Sequence, residues 1–195
     1  AGELIFSGAR ADGELPECPC VCAGGDVGEN IYTYRADIQV ENSEISNSSS
    51  NGIRVYQASP GLIGNRVWGN SADGIRIEYS PSNPQINFNR LSSNLGDGVE
   101  LFNTANATVT NNFMYTTVGW GGGVRCAAGN GGGPQQGTIR IAGNTICGPF
   151  FYKTIWGPRN GRGISILPRR EMAHKQNDYV IENNIIANTV EGDKG

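Results

Sequence analysis

Two short segments of the chain combine a carboxylate with charged and aromatic residues in a similar order. Asp-Gly-Ile-Arg-Ile-Glu begins at Asp73 and Asp-Gly-Val-Glu-Leu-Phe begins at Asp97, while Asn-Gly-Ile-Arg-Val-Tyr begins at Asn51. Paired carboxylates can serve as general acid and general base, and arginine can hold a carboxylate through two parallel hydrogen bonds. The segments therefore predict proton-transfer chemistry on an anionic substrate.

The alternation of strand residues divides these side chains into inward and outward sets. We predict Asp73, Asp97, Arg76 and Glu100 as catalytic residues, with the two aspartates as an acid–base pair. Aromatic rings offer flat apolar platforms for a ligand, and charged groups can pair with its charged substituents. The outward residues predicted to bind substrate are Arg54, Tyr56, Glu78, Phe102 and Arg125.

Two other interpretations of these residues stay open. Asp73, Asp97 and Glu100 could form an oxygen-ligand calcium site, although the chemistry requires no other cofactor. Alternatively, the charged residues only keep the surface soluble, and the two aspartates are turn residues in the place that Asn51 holds one repeat earlier.

A second candidate region is a long insertion at about residues 147–178. It contains the most aromatic segment, 149–156, followed by several basic residues. Long loops on a regular scaffold often carry binding function, so we predict Trp156 and His174 as substrate-binding residues. His174 is the single histidine of the chain and the natural base for imidazole chemistry. The alternative is a loop that packs back on the scaffold.

An internal repeat must position these residues. A glycine followed by an alternating apolar strand recurs at intervals of 22, 24, 25 and 40 residues, at Gly52, Gly74, Gly98, Gly123 and Gly163. A second motif, in which an asparagine stands between two apolar residues, falls between consecutive copies, as in Ile63-Gly-Asn-Arg-Val67. About 22 residues are too few for a strand–helix–strand unit, so each repeat must stack on its neighbours to bury its apolar face.

Stacking in parallel gives the fold class. It predicts an all-β, right-handed parallel β-helix of about six coils, with Ile53, Ile75, Val99 and Val124 in one inward ladder. Asparagines at the corners are expected to stack and to bond to one another, and the repeated glycine is expected to supply a corner free of steric cost.

The Gly-Ile-x-Ile and Asn-x-Ile pattern over about 37–189 resembles the parallel β-helix repeat of the pectate-lyase-like superfamily. That superfamily includes polysaccharide lyases, pectin-type glycosidases, alginate epimerases and phage tailspikes. The segment 180–189 also looks like parts of disaggregatase-type proteins, which degrade an archaeal matrix polysaccharide. The resemblance implies a secreted polysaccharide-degrading enzyme, a lyase or glycoside hydrolase acting on an acidic glycan, or the β-helix part of one. A non-catalytic glycan-binding, adhesive or structural module is the alternative.

Composition limits the partners. The formal net charge is −3 and the pI about 5.2, which disfavours nucleic acid, and no stretch approaches a membrane span of ~20 apolar residues. With a polysaccharide as partner, we expect a secreted or cell-surface location. We divide the chain into an irregular segment or partial cap, 1–36, and a β-helix, 37–195, and expect further coils outside this chain if that cap is absent.

Overall fold

The computed structural model describes the backbone of residues 4–6, 28–115, 121–128, 137–148, 151–154, 157–160, 163–167 and 177–187. Within these ranges the chain forms strands and turns, and no helix that could cross a membrane is found among them. Trp156 and His174 lie outside the described residues, as do 149–150, 155–156, 161–162 and 168–176 of the predicted insertion.

Three parallel sheets of six strands run the length of the molecule, and every coil contributes one strand to each sheet. Sheet 1 consists of β2 (Ile31–Tyr34), β5 (Ile53–Tyr56), β8 (Ile75–Glu78), β11 (Val99–Phe102), β14 (Val124–Ala127) and β19 (Ile164–Leu167). Sheet 2 consists of β3 (Ile38–Glu41), β6 (Gly61–Ile63), β9 (Gln85–Asn87), β12 (Ala107–Thr110), β15 (Thr138–Ala142) and β20 (Asp178–Glu182). Sheet 3 consists of β4 (Glu44–Ser46), β7 (Arg66–Trp68), β10 (Arg90–Ser92), β13 (Phe113–Tyr115), β16 (Thr145–Cys147) and β21 (Ile185–Ala187). This arrangement confirms the predicted right-handed parallel β-helix of six coils.

Three further strands lie outside this pattern. β1 (Leu4–Phe6) pairs antiparallel with β3 and covers the first edge of sheet 2. β17 (Phe151–Thr154) and β18 (Gly157–Asn160) form an antiparallel hairpin in the predicted insertion. The first rung of sheet 1, β2, lies inside the segment 1–36, so the regular coil begins before the expected boundary at 37, because Ile31 and Thr33 already alternate inward.

The inward ladders form a narrow apolar core. Ile53, Ile75, Val99 and Val124 lie in register on adjacent strands and are fully buried. A second ladder of sheet 1 contains Val55, Ile77 and Leu101, as expected. The sequence alternates with period two because only one face of each strand is apolar.

The repeated glycine has a different physical reason from the one expected. A Cβ on Gly74 would lie 2.9 Å from the carbonyl oxygen of Gly98, and one on Gly98 would lie 2.8 Å from that of Gly123. None of these glycines has a positive φ. Glycine is therefore required by the close approach of successive coils, whereas the left-handed corners are formed by other residues.

At the corner between sheets 2 and 3, two consecutive residues have different structural roles. The first residue is left-handed, as at Asn111 with φ of 56°. The second is a buried asparagine that bonds to the asparagine of the next coil. This ladder runs through Asn65, Asn89, Asn112, Asn144 and Asn184. Stacked, mutually bonded asparagines were predicted from the sequence and are confirmed.

Asn112→Ala should lower the free energy of unfolding by at least ~2 kcal/mol, because it leaves several buried polar groups without partners. The Asn112 amide donates to the carbonyl of Ile86 and to Oδ1 of Asn144, and its Oδ1 accepts from the backbone and side chain of Asn89. Urea unfolding would measure the change. Asn111→Gly, at the exposed neighbouring position with positive φ, is the control. Equal losses in the two variants would contradict the ladder's role.

Candidate functional site

The outward side of sheet 1 carries a continuous row of charges, which we call the charged strip. Strand pairing places Arg54, Arg76, Glu100 and Arg125 on one line across successive coils. Tyr56, Glu78 and Phe102 lie on the neighbouring line. Seven outward residues predicted from the sequence are thus brought together, because parallel strands ~4.8 Å apart keep equivalent side chains adjacent.

The charges of the strip form two layers. Glu78 and Glu100 are only 4% and 2% exposed, whereas the arginine side chains remain partly open to solvent. Arg76 Nη1 lies 2.6 Å from Glu100 Oε2, and Arg76 Nε donates to Glu78 Oε1 over 2.6 Å. Guanidinium groups therefore form the surface that a ligand meets first, and carboxylates lie beneath them.

Further ion pairs extend this network along the strip. Arg54 donates to Glu78 Oε2 over 2.9 Å, and Arg125 Nη1 lies 3.3 Å from Glu100 Oε1. Glu29, which was not among the predicted residues, adds a carboxylate oxygen 3.5 Å from Arg54 Nη1. Its position in the repeat matches that of Asn51, so alignment of the first coil with the others could have identified it.

Asp73 and Asp97 lie at the corner that leads into sheet 1. Asp73 Oδ1 accepts the backbone N–H of Asp97 over 2.7 Å, and Asp97 Oδ1 accepts that of Gly122 over 2.6 Å. Asn51 does the same one coil earlier, where its Oδ1 accepts the N–H of Asp73. The aspartates thus hold the turn together, as the structural alternative proposed, while their other oxygens face the arginine layer.

The second oxygens approach two arginines of the strip. Asp73 Oδ2 lies 3.4 Å from Arg76 Nη1, and Asp97 Oδ2 lies 3.8 Å from Arg125 Nη1. Each aspartate is 6% exposed. A group that reached the strip would have to move an arginine before it touched either carboxyl.

Burial raises the pKa values of the two aspartates by different amounts. Desolvation, reinforced by repulsion from Asp97 and Glu100, raises the pKa of Asp73 to about 8. Desolvation also raises the pKa of Asp97, but the N–H of Gly122 and the charge of Arg125 oppose it, and the value is about 6. Near neutral pH, Asp73 therefore holds a proton that Asp97 has mostly lost.

A column of aromatic rings borders the charged strip. Tyr34 stacks on Tyr56 at 5.5 Å, Tyr79 follows at 5.2 Å, and Phe102 meets Tyr79 edge-on at 5.7 Å. Only Tyr56 and Phe102 were predicted from the alternation of strand residues. Tyr79 comes after the strand, where its φ of 55° turns the ring back into the column, and a period of two cannot anticipate this turn.

The acidic residues of the predicted calcium site are bonded to other groups. Among the described residues, no group of three or more histidine, cysteine, aspartate or glutamate side chains is arranged to hold a metal ion. One oxygen of each aspartate accepts a backbone N–H, and Glu100 pairs with two arginines. A calcium ion would have to displace these arginines, and calcium binding stays a prediction.

Comparison with known proteins agrees with this architecture. A profile of the right-handed β-helix region matches residues 20–146. The structure resembles the crystal structure of the periplasmic alginate epimerase AlgG, with a TM-score of 0.50 and 15% sequence identity. The match covers 82% of this chain and 34% of the epimerase, so the chain spans about a third of that enzyme's length. A search of curated proteins found no match. The likeness to the epimerase establishes the fold alone.

Asp73→Asn should flatten the pH dependence of stability. The folded-state pKa of Asp73 is raised from 3.8 to about 8, so the native state binds more protons than the unfolded chain between these values. Its contribution is complete below pH 3.8 and is lost as the pH rises through 8. Asparagine cannot titrate but can accept the same N–H, as Asn51 does. Urea unfolding at several pH values should show a smaller decline in the variant.

The control is Asp37→Asn. Asp37 is exposed, and its Oδ1 also accepts a backbone N–H, from Ser59. An equal change of slope in both variants would contradict the argument from burial.

Proposed function

Since this chain belongs to the right-handed β-helix family, we propose that it is a polysaccharide lyase acting on an acidic glycan, or the β-helix part of such an enzyme. The observation that carries the proposal is the pair of neighbouring buried aspartates with different pKa values beneath a layer of arginines. Titratable pairs whose surroundings separate their pKa values are characteristic of acid–base catalysis.

In the proposed reaction, Asp97 is the base and Asp73 the acid. The Asp97 carboxylate removes the proton from the sugar carbon beside the uronate carboxyl group. The electron pair of that C–H bond forms a carbon–carbon double bond, and the neighbouring C–O glycosidic bond breaks. Asp73 gives its proton to the departing oxygen, and exchange with solvent restores both groups. With a pKa of about 6, Asp97 is a stronger base than an ordinary aspartate, and it is still mostly ionised at neutral pH.

The arginine layer suits the acidic part of the substrate. A uronate carboxylate can accept two parallel hydrogen bonds from a guanidinium group, which also stabilises the negative charge that develops during proton removal. Engagement of Arg76 and Arg125 by the substrate would draw them away from Asp73 and Asp97, which lie 3.4 Å and 3.8 Å away. Binding would then uncover the catalytic carboxyl groups.

The aromatic column is proposed to guide the polymer along the strip. Its rings follow one another by a single coil, so a glycan aligned with the long axis would meet a ring or an arginine at every step. The alginate epimerase of the same fold is described as periplasmic, which supports our expectation that this chain acts outside the cytoplasm.

The competing function is a glycan-binding module without catalysis. It is favoured by the backbone hydrogen bonds that engage one oxygen of each aspartate and give both residues a sufficient structural role. This alternative predicts retention of the polymer without any product.

Asp97→Asn should abolish elimination on polymannuronate, because asparagine keeps the Gly122 hydrogen bond but cannot accept the proton. Arg76→Ala should lower kcat/KM by ~100-fold or more through the loss of the carboxylate partner. The measurement is the ultraviolet absorbance of the unsaturated product, with circular dichroism to verify folding. Arg140→Ala, which removes an exposed arginine of sheet 2 paired with Glu182, is the matched control and should retain activity.

Three results would contradict the proposal in different ways. Full activity of Asp97→Asn would exclude Asp97 as the base. New reducing ends without ultraviolet absorbance would indicate hydrolysis. Binding of the polymer without product by the wild type would favour the non-catalytic module.

A further inference from the structure

We propose that sheet 3 carries a second glycan-binding surface, separate from the charged strip, which holds an acidic polysaccharide along the long axis. We call it the aromatic face, and it consists of Arg66, Trp68, Phe88, Arg90, Phe113 and Tyr115. It is independent of the lyase proposal, since a binding surface can serve an enzyme or a module equally.

Exposed apolar side chains are concentrated on this face. Before the last coil, the large hydrophobic residues exposed among those described are Phe88, Leu95, Phe113 and Tyr115. Three of the four are aromatic and lie on sheet 3 or at the corner leading into it. Phe113 and Tyr115 are the outward residues of β13, with the buried Met114 between them. An exposed cluster of this kind is typical of an interaction site.

Phe88 gives the strongest indication of function. It is 63% exposed and has a φ of 59°. On the adjacent coils the equivalent corner position is held by Gly64 and Asn111, the residue types that tolerate a left-handed backbone. A bulky residue there costs about 1–2 kcal/mol and buries little in return. Arg35, Gln57 and Tyr79 also occupy left-handed positions, so the backbone alone does not single out Phe88. Its exposure does, because a ring so open to solvent gains little from packing, whereas contact with a ligand would bury it.

Arginines lie among the rings. The guanidinium carbon of Arg90 is 5.7 Å from the centre of the Phe113 ring, and that of Arg66 is 5.2 Å from the Trp68 ring. Arg66 also pairs with Glu44, at 3.3 Å. No carboxylate of the described residues forms an ion pair with Arg90, so its charge is available to an anion.

The composition of the face suits a glycan. Its outward positions combine aromatic rings and arginines with small polar residues, such as Ser92 between Trp68 and Tyr115 in the strand register. Rings can lie against the C–H faces of sugars, and hydroxyl and guanidinium groups can bond to their oxygens. Protein interfaces also use aromatic and arginine side chains, so the choice of a glycan rests on the open charge of Arg90 and on the spacing of the rings.

The spacing also matches a polymer. Trp68 and Tyr115 are two rungs apart, or about 10 Å at ~4.8 Å per rung. An extended 1,4-linked glycan advances by nearly one rung per sugar, so the two rings would contact alternate residues of one chain. In the register Ser92 lies between the two rings. Arg90 lies two residues before Ser92 on the same strand, and its charge, which forms no ion pair with a described carboxylate, favours an acidic sugar.

The test measures binding in a chain whose charged strip is weakened. In the Arg76→Ala background, we would compare Phe88→Asn, Tyr115→Ser and Arg90→Gln by isothermal titration with a 1,4-linked oligomannuronate. Each ring removed should raise Kd about tenfold. Arg90→Gln should weaken the acidic ligand and leave a neutral cello-oligosaccharide of equal length unaffected. Phe88→Asn should also raise Tm, because asparagine suits the left-handed corner.

Asn42→Gly is the matched control, since Asn42 occupies the same corner position two coils before Phe88 and is not one of the six residues of the aromatic face. It should leave Kd unchanged. Wild-type affinity in Phe88→Asn and Tyr115→Ser would overturn the proposal, whatever the lyase assay gives. Dissociation of an oligomer by Phe88→Asn, measured by sedimentation, would also overturn it and identify the face as a contact between copies of the chain. Binding that the Arg76→Ala chain retains and that Phe88→Asn and Tyr115→Ser then weaken, without any wild-type lyase product, would support the face while refuting the proposed enzyme.

Discussion

Hydrogen bonds between one coil and the next fix the position of every other group in this molecule. The backbone pairs in parallel register in all three sheets, and the buried asparagine ladder from Asn65 to Asn184 repeats that register in side-chain amides. Because these bonds are satisfied only when equivalent residues are aligned, each residue must lie directly beside its counterpart in the neighbouring coils. Core, corners and surface all follow from this alignment.

The same alignment creates an electrostatic problem at the surface, because it places like residues together. Arg54 lies beside Arg76 in the strand register, and Asp73 and Asp97 are adjacent along the corner. A diagonal pair between Arg54 and Glu78 and a direct cross-strand pair between Arg125 and Glu100 relieve the repulsion on sheet 1. At the corner the arginines relieve only part of the repulsion between the two carboxyl groups, and burial makes the remaining repulsion more costly. The raised pKa of Asp73 therefore has two main causes: burial, and the negative charge of Asp97 that stacking places beside it.

The sequence revealed the fold because the fold is periodic. Ile53, Ile75 and Val99 recur at the spacing of one coil, and that spacing fits a stacked solenoid better than a unit containing a helix. Residues of the strip could be assigned to the outward side from alternation alone. Their depth could not be predicted, since it depends on how Arg76 folds over Glu100 and Asp73. Tyr79 and Phe88 escaped prediction because both lie at left-handed positions, where the alternation of strands is interrupted.

The close approach of the repeated glycines has a consequence for how such a molecule changes over evolutionary time. Because Gly74 and Gly98 contact their neighbours in the same way, the junction between any two coils is almost interchangeable. Duplication or loss of one whole coil would preserve every junction while shifting the two ends by a single rung. Insertion or deletion of one residue within a strand would instead turn the following side chains to the other face, whereas the unequal intervals of 22, 24, 25 and 40 residues show that the segments between strands accept it. The architecture thus tolerates alterations in units of a complete turn, and the distance between two surface patches can be adjusted one sugar at a time.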